Sequence, residues 1–140
     1  MIELFYETEF EIKDAQIWID WIVESMKNEG KTIEELNYIF CDDEYLLQIN
    51  RQYLDHDYYT DVIGFDNSED DQLMGDIFIS IERIKDNSTQ NNVSFENELA
   101  RVIIHGTLHF AGYLDKEPEE KELMTSKEDY YLGTFSLLNS

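Results

Sequence analysis

The sequence predicts an α+β fold: a single domain, residues 1–140, in which a small, mainly four-stranded mixed sheet packs with helices. Three observations carry this. The chain has 140 residues, 42% of them hydrophobic and 14% aromatic, enough material for one core, because domains most often run to about 100–150 residues. Its apolar positions switch between strand and helix spacing in the order strand, helix, strand, helix, two strands, then helices. A late helix is apolar on most sides, which predicts burial against the sheet with only one face open to a cleft.

Ile2 to Tyr6 reads as a short strand. Asp14 can cap a helix whose apolar positions Ile17, Trp18, Trp21, Ile22 and Met26 recur at helical spacing, with Gly30 just past its end. At that spacing Trp18 and Trp21 read as core anchors. Leu36 to Cys41 reads as a second strand, after which Asp42 or Asp43 can cap a helix carrying Tyr45, Leu46, Ile49 and Tyr53. Asp55 to Asp61 is polar and looped. Val62 to Phe65 and Met74 to Ser80 read as strands, made neighbours in the sheet by the acidic loop from Asp66 to Asp71. Ile81 to about Asn91 reads as helical, broken by the polar run that follows. Ser94 offers a new helix start, and Leu99, Val102, Ile103, Gly106 and Phe110 continue the pattern to Gly112. After Pro118, the only proline, Glu119 to about Leu132 reads as a last, strongly charged helix.

Charge narrows the function classes. With 10 Lys and Arg against 32 Asp and Glu, the formal net charge is −22, little of the cationic footprint that phosphate backbones usually meet. A solvated acidic surface explains most of it; a local basic groove or a partner protein would have to supply contacts to nucleic acid. No apolar run nears the roughly 20 residues that cross a bilayer. The N-terminus lacks the basic start and long apolar stretch of a signal peptide. Cys41 is alone, so the expectation is a reducing cytoplasm, with Cys41 a small buried apolar residue.

The chemistry concentrates between Val102 and Asp115. Two of the chain's three histidines, His105 and His109, stand four residues apart, and on a helix such side chains lie one above the other. Gly112 then permits a turn that could bring Asp115 in as a third ligand. Two imidazoles and a carboxylate, with a position left for water, are the donor set of a catalytic rather than a structural zinc site. The pattern predicts a metal-dependent hydrolase with a metal-bound water as candidate nucleophile, the general acid and base remaining unassigned. The glutamate that follows the first histidine in zinc proteases is absent; Gly106 stands there. Asp61, Asp76, Ser80 and His56 are further candidates, to orient the imidazoles or meet substrate. Each also has an ordinary reading as a turn, cap or surface residue.

His105-Gly106-Thr107-Leu108-His109-Phe110-Ala111-Gly112-Tyr113 resembles the signature of the YbeY family of rRNA-maturation endoribonucleases. Ile49-Asn50 with Tyr53, Thr60-Asp61-Val62-Ile63-Gly64-Phe65 and Gly75-Asp76-Ile77-Phe78-Ile79-Ser80 resemble that family's upstream elements, in the same order. The resemblance spans roughly residues 45 to 115. It implies a single α+β domain, one zinc-like ion held by three side chains, and single-stranded RNA as substrate. Implied roles are 16S rRNA 3′-end maturation and ribosome quality control, with rRNA and small-subunit proteins as partners. His105 and His109 carry over as ligands. Asp115 replaces the usual histidine, which makes a weaker Lewis acid and admits Mn²⁺, Fe²⁺ or Ni²⁺ beside zinc. Leu54 stands where many members carry an arginine, removing a phosphate contact.

Two other functions compete. One is a non-catalytic ribosome-assembly factor with a structural metal, its acidic surface meeting basic ribosomal proteins. The other is a metal-dependent hydrolase acting on a peptide or small ester. A two-histidine, one-carboxylate iron oxygenase fits poorly, with both histidines on one helix.

Overall fold

Which strands lie inside the sheet follows from which carry apolar side chains on both faces. In the computed structural model, which describes residues 1–56 and 58–139, these are β2 (Thr32–Cys41) and β4 (Gln72–Ser80). Leu36, Tyr38 and Phe40 alternate along β2, and Ile77 and Ile79 along β4, all fully buried. Cys41, Ile63 and Phe78 fill the opposite face. The shorter β1 (Ile2–Tyr6) and β3 (Val62–Asp66) take the edges, giving the order β1-β2-β4-β3. β1, β2 and β4 are parallel and β3 is antiparallel to β4. The mixed four-stranded sheet and the pairing of β3 with β4 are as the sequence predicts.

Five helices cover the sheet: α1 (Ala15–Asn28), α2 (Asp43–Leu54), α3 (Ile81–Gln90), α4 (Phe95–Phe110) and α5 (Pro118–Thr134). Leu46 of α2 packs in the small cluster with Cys41 and Ile63. Helices α1, α3, α4 and α5 share the main core. Trp18 and Trp21 are buried there around Phe135, Trp21 stacking on it at 4.3 Å and donating its indole N–H to the Tyr131 carbonyl at 2.9 Å. Among the described residues no helix is long and apolar enough to cross a membrane.

Differences from the sequence reading lie at element ends. β2 starts four residues earlier than Leu36: Thr32, Ile33 and Glu35 also pair with β4, with Glu34 at an irregularity in register between Ile33 and Glu35. Asp14 opens α1 but does not cap it with its side chain. It sits in the left-handed region (φ 57°) and its carbonyl accepts from Ile17 N–H. Asp42 and Ser94 do cap, accepting from Tyr45 and Asn97 N–H. The looped reading of Asp55 to Asp61 holds at the described positions; Asp57 lies outside them.

Helix α4 ends at Phe110, two residues short of Gly112. Gly112 takes φ 108°, and the N–H groups of Gly112 and Tyr113 bond the carbonyls of His109 and Leu108. This glycine-dependent helix stop reverses the chain sharply. Against the sheet, α4 rides so close that a Cβ at Gly106 would touch Ile77 and Val62 at 3.3 and 3.4 Å. Phe110 occupies the space that Gly64 and Gly75 leave open.

Candidate metal centre

His105 and His109 occupy the last two turns of α4 on the side turned away from the main core, with ring centroids 4.6 Å apart and planes at 84°. The turn at Gly112 brings Asp115 back over them. His109 Nε2 lies 3.1 Å from His105 Nε2, and Asp115 Oδ2 lies 3.2 Å from each. Three atoms bound tetrahedrally at about 2.0–2.1 Å from one zinc-sized ion are about 3.3–3.4 Å apart. The triangle therefore matches a single shared cation. Protons serve it poorly. With both imidazoles neutral and the His105 proton on Nδ1, facing Glu128, at most one N–H, that of His109, is available among the three atoms.

The orientation of His105 comes from α5. Its Nδ1 is 2.6 Å from Oε2 of Glu128, a carboxylate that is only 6% exposed. An ionised carboxylate only accepts, so Nδ1 carries the proton and Nε2 presents its lone pair to the triangle. Glu128 Oε1 accepts from Arg101 at 2.8 Å, and Arg101 also pairs with Asp129 at 2.7 Å. Burial pushes the His105 imidazole down, but the Glu128 hydrogen bond and the charges of Glu128, Asp115 and Asp61 outweigh it and hold the ring above its ordinary value. Carboxylates that favour a proton there favour any cation. A buried carboxylate holding an imidazole's far nitrogen is the usual support of a metal-binding histidine.

The triangle opens into a cleft of about 420 Å³ lined by Thr60, Asp61, Gly64, Asp66, Phe110 and the three donors, among others. Asp61 is the candidate from the upstream segment that reaches it. Burial raises its carboxyl above the ordinary range, against the pull of His105 and of the Asp61 and Val62 backbone N–H groups. A larger groove of about 500 Å³ lies between α1 and α5, and none of the three donors lines it.

The other candidates lie elsewhere. Asp76 sits opposite Asn37 in the β2–β4 register and accepts its amide at 2.9 Å. Ser80 is fully buried; it caps α3 by accepting from Arg83 N–H and donates to Asp43 at 2.7 Å. His56 is exposed in the α2–β3 loop, stacked on Tyr58 with centroids 5.2 Å apart. None of the three lines the cleft. Gly106 faces Ile77 and Val62, so a zinc-protease glutamate would meet the sheet. Glu128 and Arg101 were not expected from the sequence. The available signal was periodicity: Met124, Glu128, Tyr131 and Leu132 are the buried positions of α5, which puts an acid in an apolar stripe.

Comparison with known proteins bears on the whole chain. The family model described as Endoribonuclease YbeY matches residues 3–136. A protein named Endoribonuclease YbeY from Flavobacterium psychrophilum is 52% identical over 135 residues, covering 96% of each chain. One of the same name from Karelsulcia muelleri is 54% identical over 132 residues, 94% of each. The solution structure of TM1509 from Thermotoga maritima superposes with a TM-score of 0.68 at 29% identity, over 94% of this chain and 87% of that one. Helix α4, the turn after it and the carboxylate-bearing α5 all fall inside these matches. The chain belongs to the YbeY family.

Proposed function

We propose that this chain is a metal-dependent endoribonuclease that cuts single-stranded RNA during ribosomal RNA maturation, with residues 1–140 forming one hydrolase domain. The observation that carries the reading is the convergence of His105, His109 and Asp115, three donors within 4.8 Å of one another, on one ion-sized gap in an open cleft. Relatives that carry the name endoribonuclease supply the reaction class. Zinc suits two imidazoles and a carboxylate, and the carboxylate also accommodates Mn²⁺, Fe²⁺ or Ni²⁺. When bound, such an ion supplies Lewis acidity toward a phosphoryl oxygen and acidifies water.

The chain's own residues do the rest. Glu128 fixes the His105 ring by holding its Nδ1–H, and Arg101 holds Glu128 in place by donating to its Oε1 at 2.8 Å. Asp61, a carboxyl raised by burial at the cleft wall, is the group to take a proton from the attacking oxygen and return one to the leaving oxygen. In this reading the protein works in the cytoplasm on rRNA of the small ribosomal subunit, near that subunit's proteins, in 16S 3′-end maturation and ribosome quality control.

One observation favours a second reading, a ribosome-assembly factor with a structural ion: no Lys or Arg is among the residues lining the cleft. Cleavage of a single-stranded RNA by protein purified without an affinity tag separates the two. Wild type cuts and His109→Ala loses at least about 100-fold in rate, the scale of removing one essential catalytic group. Equal cleavage by the variant would assign the activity to a contaminant and leave the assembly-factor reading.

A further inference from the structure

Strand β3 is an edge of the sheet and also one wall of the metal cleft, and its ladder leaves a row of main-chain groups facing outward. Asp61 C=O accepts from Ser80 N–H at 3.0 Å, and Asn67 N–H donates to Met74 C=O at 2.9 Å. Between these anchors the register sets Val62 opposite Ile79, Gly64 opposite Ile77 and Asp66 opposite Gly75. Bonded and non-bonded positions alternate along an antiparallel pair. Asp61, Ile63, Phe65 and Asn67 therefore bond toward β4, while the N–H and C=O groups of Val62, Gly64 and Asp66 point away from it. No strand lies beyond β3 among the described residues, and Gly64 and Asp66 are exposed.

The same three residues, Val62, Gly64 and Asp66, line the cleft beside His105, His109 and Asp115. Gly64 has no side chain, so it lines the cleft with main chain alone. The Val62 N–H is taken by the Asp61 carboxylate, which puts that carboxylate on the same edge. The next outward donor is the Gly64 N–H, two residues or roughly 7 Å further along the strand. General base and main-chain donor thus stand in a row on one wall.

A phosphodiester brought into this cleft meets the carboxylates of Asp61, Asp66 and Asp115 and no Lys or Arg. The nearby Arg101 is engaged by Glu128 and Asp129. On the β3 wall the open donors are the Gly64 and Asp66 N–H groups, with the Thr60 hydroxyl just before them. We propose that the Gly64 N–H is the oxyanion donor of the cleft, hydrogen-bonded to a non-bridging oxygen of the scissile phosphate. As the attacking oxygen bonds phosphorus and the bond to the leaving oxygen breaks, Asp61 passes the proton from the first oxygen to the second. Negative charge grows meanwhile on the non-bridging oxygens, where a fixed N–H stabilises it. A neutral main-chain donor does this without a cationic side chain, in a chain whose formal charge is −22. This inference rests on the ribonuclease reading above.

The test removes the N–H and nothing else. Proline is tolerated on an edge strand where the lost N–H faces outward, so Gly64→Pro deletes the donor without breaking the ladder. A Cβ at Gly64 would lie 2.9 Å from Phe110 Cε1, and Gly64→Ala is the control for that crowding. Glycolic acid incorporated at position 64 replaces the N–H by an ester oxygen and adds no side chain; it decides the matter if the proline variant folds poorly. On one short single-stranded RNA, kcat falls about 100- to 1,000-fold for Gly64→Pro relative to Gly64→Ala, and for the glycolic acid variant relative to wild type. Metal affinity by titration moves by less than the roughly tenfold that loss of a ligand's support costs. Sulfur, a weak acceptor, is then placed at either non-bridging position of the scissile phosphate. Each diastereomer slows wild type, but for one of them sulfur costs the glycolic acid variant nothing more, the non-additivity of two groups in contact. A wild type that cuts, beside a glycolic acid variant with unchanged kcat or with fully additive sulfur effects, overturns the donor and leaves the nuclease. A wild type that does not cut RNA overturns both.

Discussion

Glu29 and Glu128 each anchor a polar cluster that ties α5 to the rest of the molecule, and the two clusters end differently. Glu29 accepts from the Tyr113 hydroxyl at 2.6 Å, from Lys127 at 3.1 Å and from the Tyr131 hydroxyl, with Asn28 closing on Tyr131. Donors and acceptors balance, and the carboxylate is 8% exposed. The chain from Arg101 through Glu128 to His105 does not balance. It ends at His105 Nε2, in a triangle completed by His109 Nε2 and Asp115 Oδ2 where at most one N–H serves three atoms. A cluster that satisfies itself holds structure together, whereas one that is a cation short is built to receive one.

Three substitutions sharpen the contrast. Asp115→Ala removes a corner of the triangle, and metal affinity by titration falls more than about 100-fold, beyond the 10–100-fold span seen when only a ligand's supporting partner is lost; retained metal at wild-type affinity would remove Asp115 from the site. Glu128→Gln keeps the shape of the support but not its charge, and affinity falls within that 10–100-fold range. A variant indistinguishable from wild type would reduce Glu128 to packing.

Glu29→Gln has the smallest effect on metal. Affinity stays within about threefold, while unfolding stability drops by about 1–3 kcal/mol, as for weakening a set of hydrogen bonds to a buried charge. Its pH signature is specific. Burial works to raise the Glu29 carboxyl, but hydrogen bonds from Tyr113, Tyr131 and Lys127 outweigh burial and leave it below the ordinary value. Because the folded value is the lower one, the stabilisation is fully present above the unfolded value and is lost as pH falls through the folded one. Denaturant midpoints from about pH 5 downward therefore fall more steeply for wild type than for Glu29→Gln. Parallel curves would mean that the Glu29 charge does not stabilise the fold.

These clusters also mark where the sequence stops being readable. His105 and His109 announce themselves because helical periodicity places them on one face, and Gly112 announces the turn because few other residues accept its backbone angle. Both signals are local. Glu128 is 23 residues from His105 on a helix whose many charges mask its buried stripe, so only the packing of α5 on α4 reveals the pair. Asp76 and Ser80 illustrate the opposite case. Residue type suits them to a site, yet β2 pairing and the start of α3 consume them first. The charged start of β2 is hidden because its pairing depends on β4 rather than on its own pattern.

Placing Asp115 beyond the reversal at Gly112 has a consequence for assembly. Helix formation alone aligns two of the three donors, but the third comes from beyond the Gly112 turn, where Tyr113 bonds Glu29 just past the end of α1, more than 80 residues upstream. An unfolded or half-docked chain offers an ion two teeth at most. Loading thus favours the finished tertiary structure, and a saturating ion adds to folding free energy in proportion to the logarithm of its concentration over Kd.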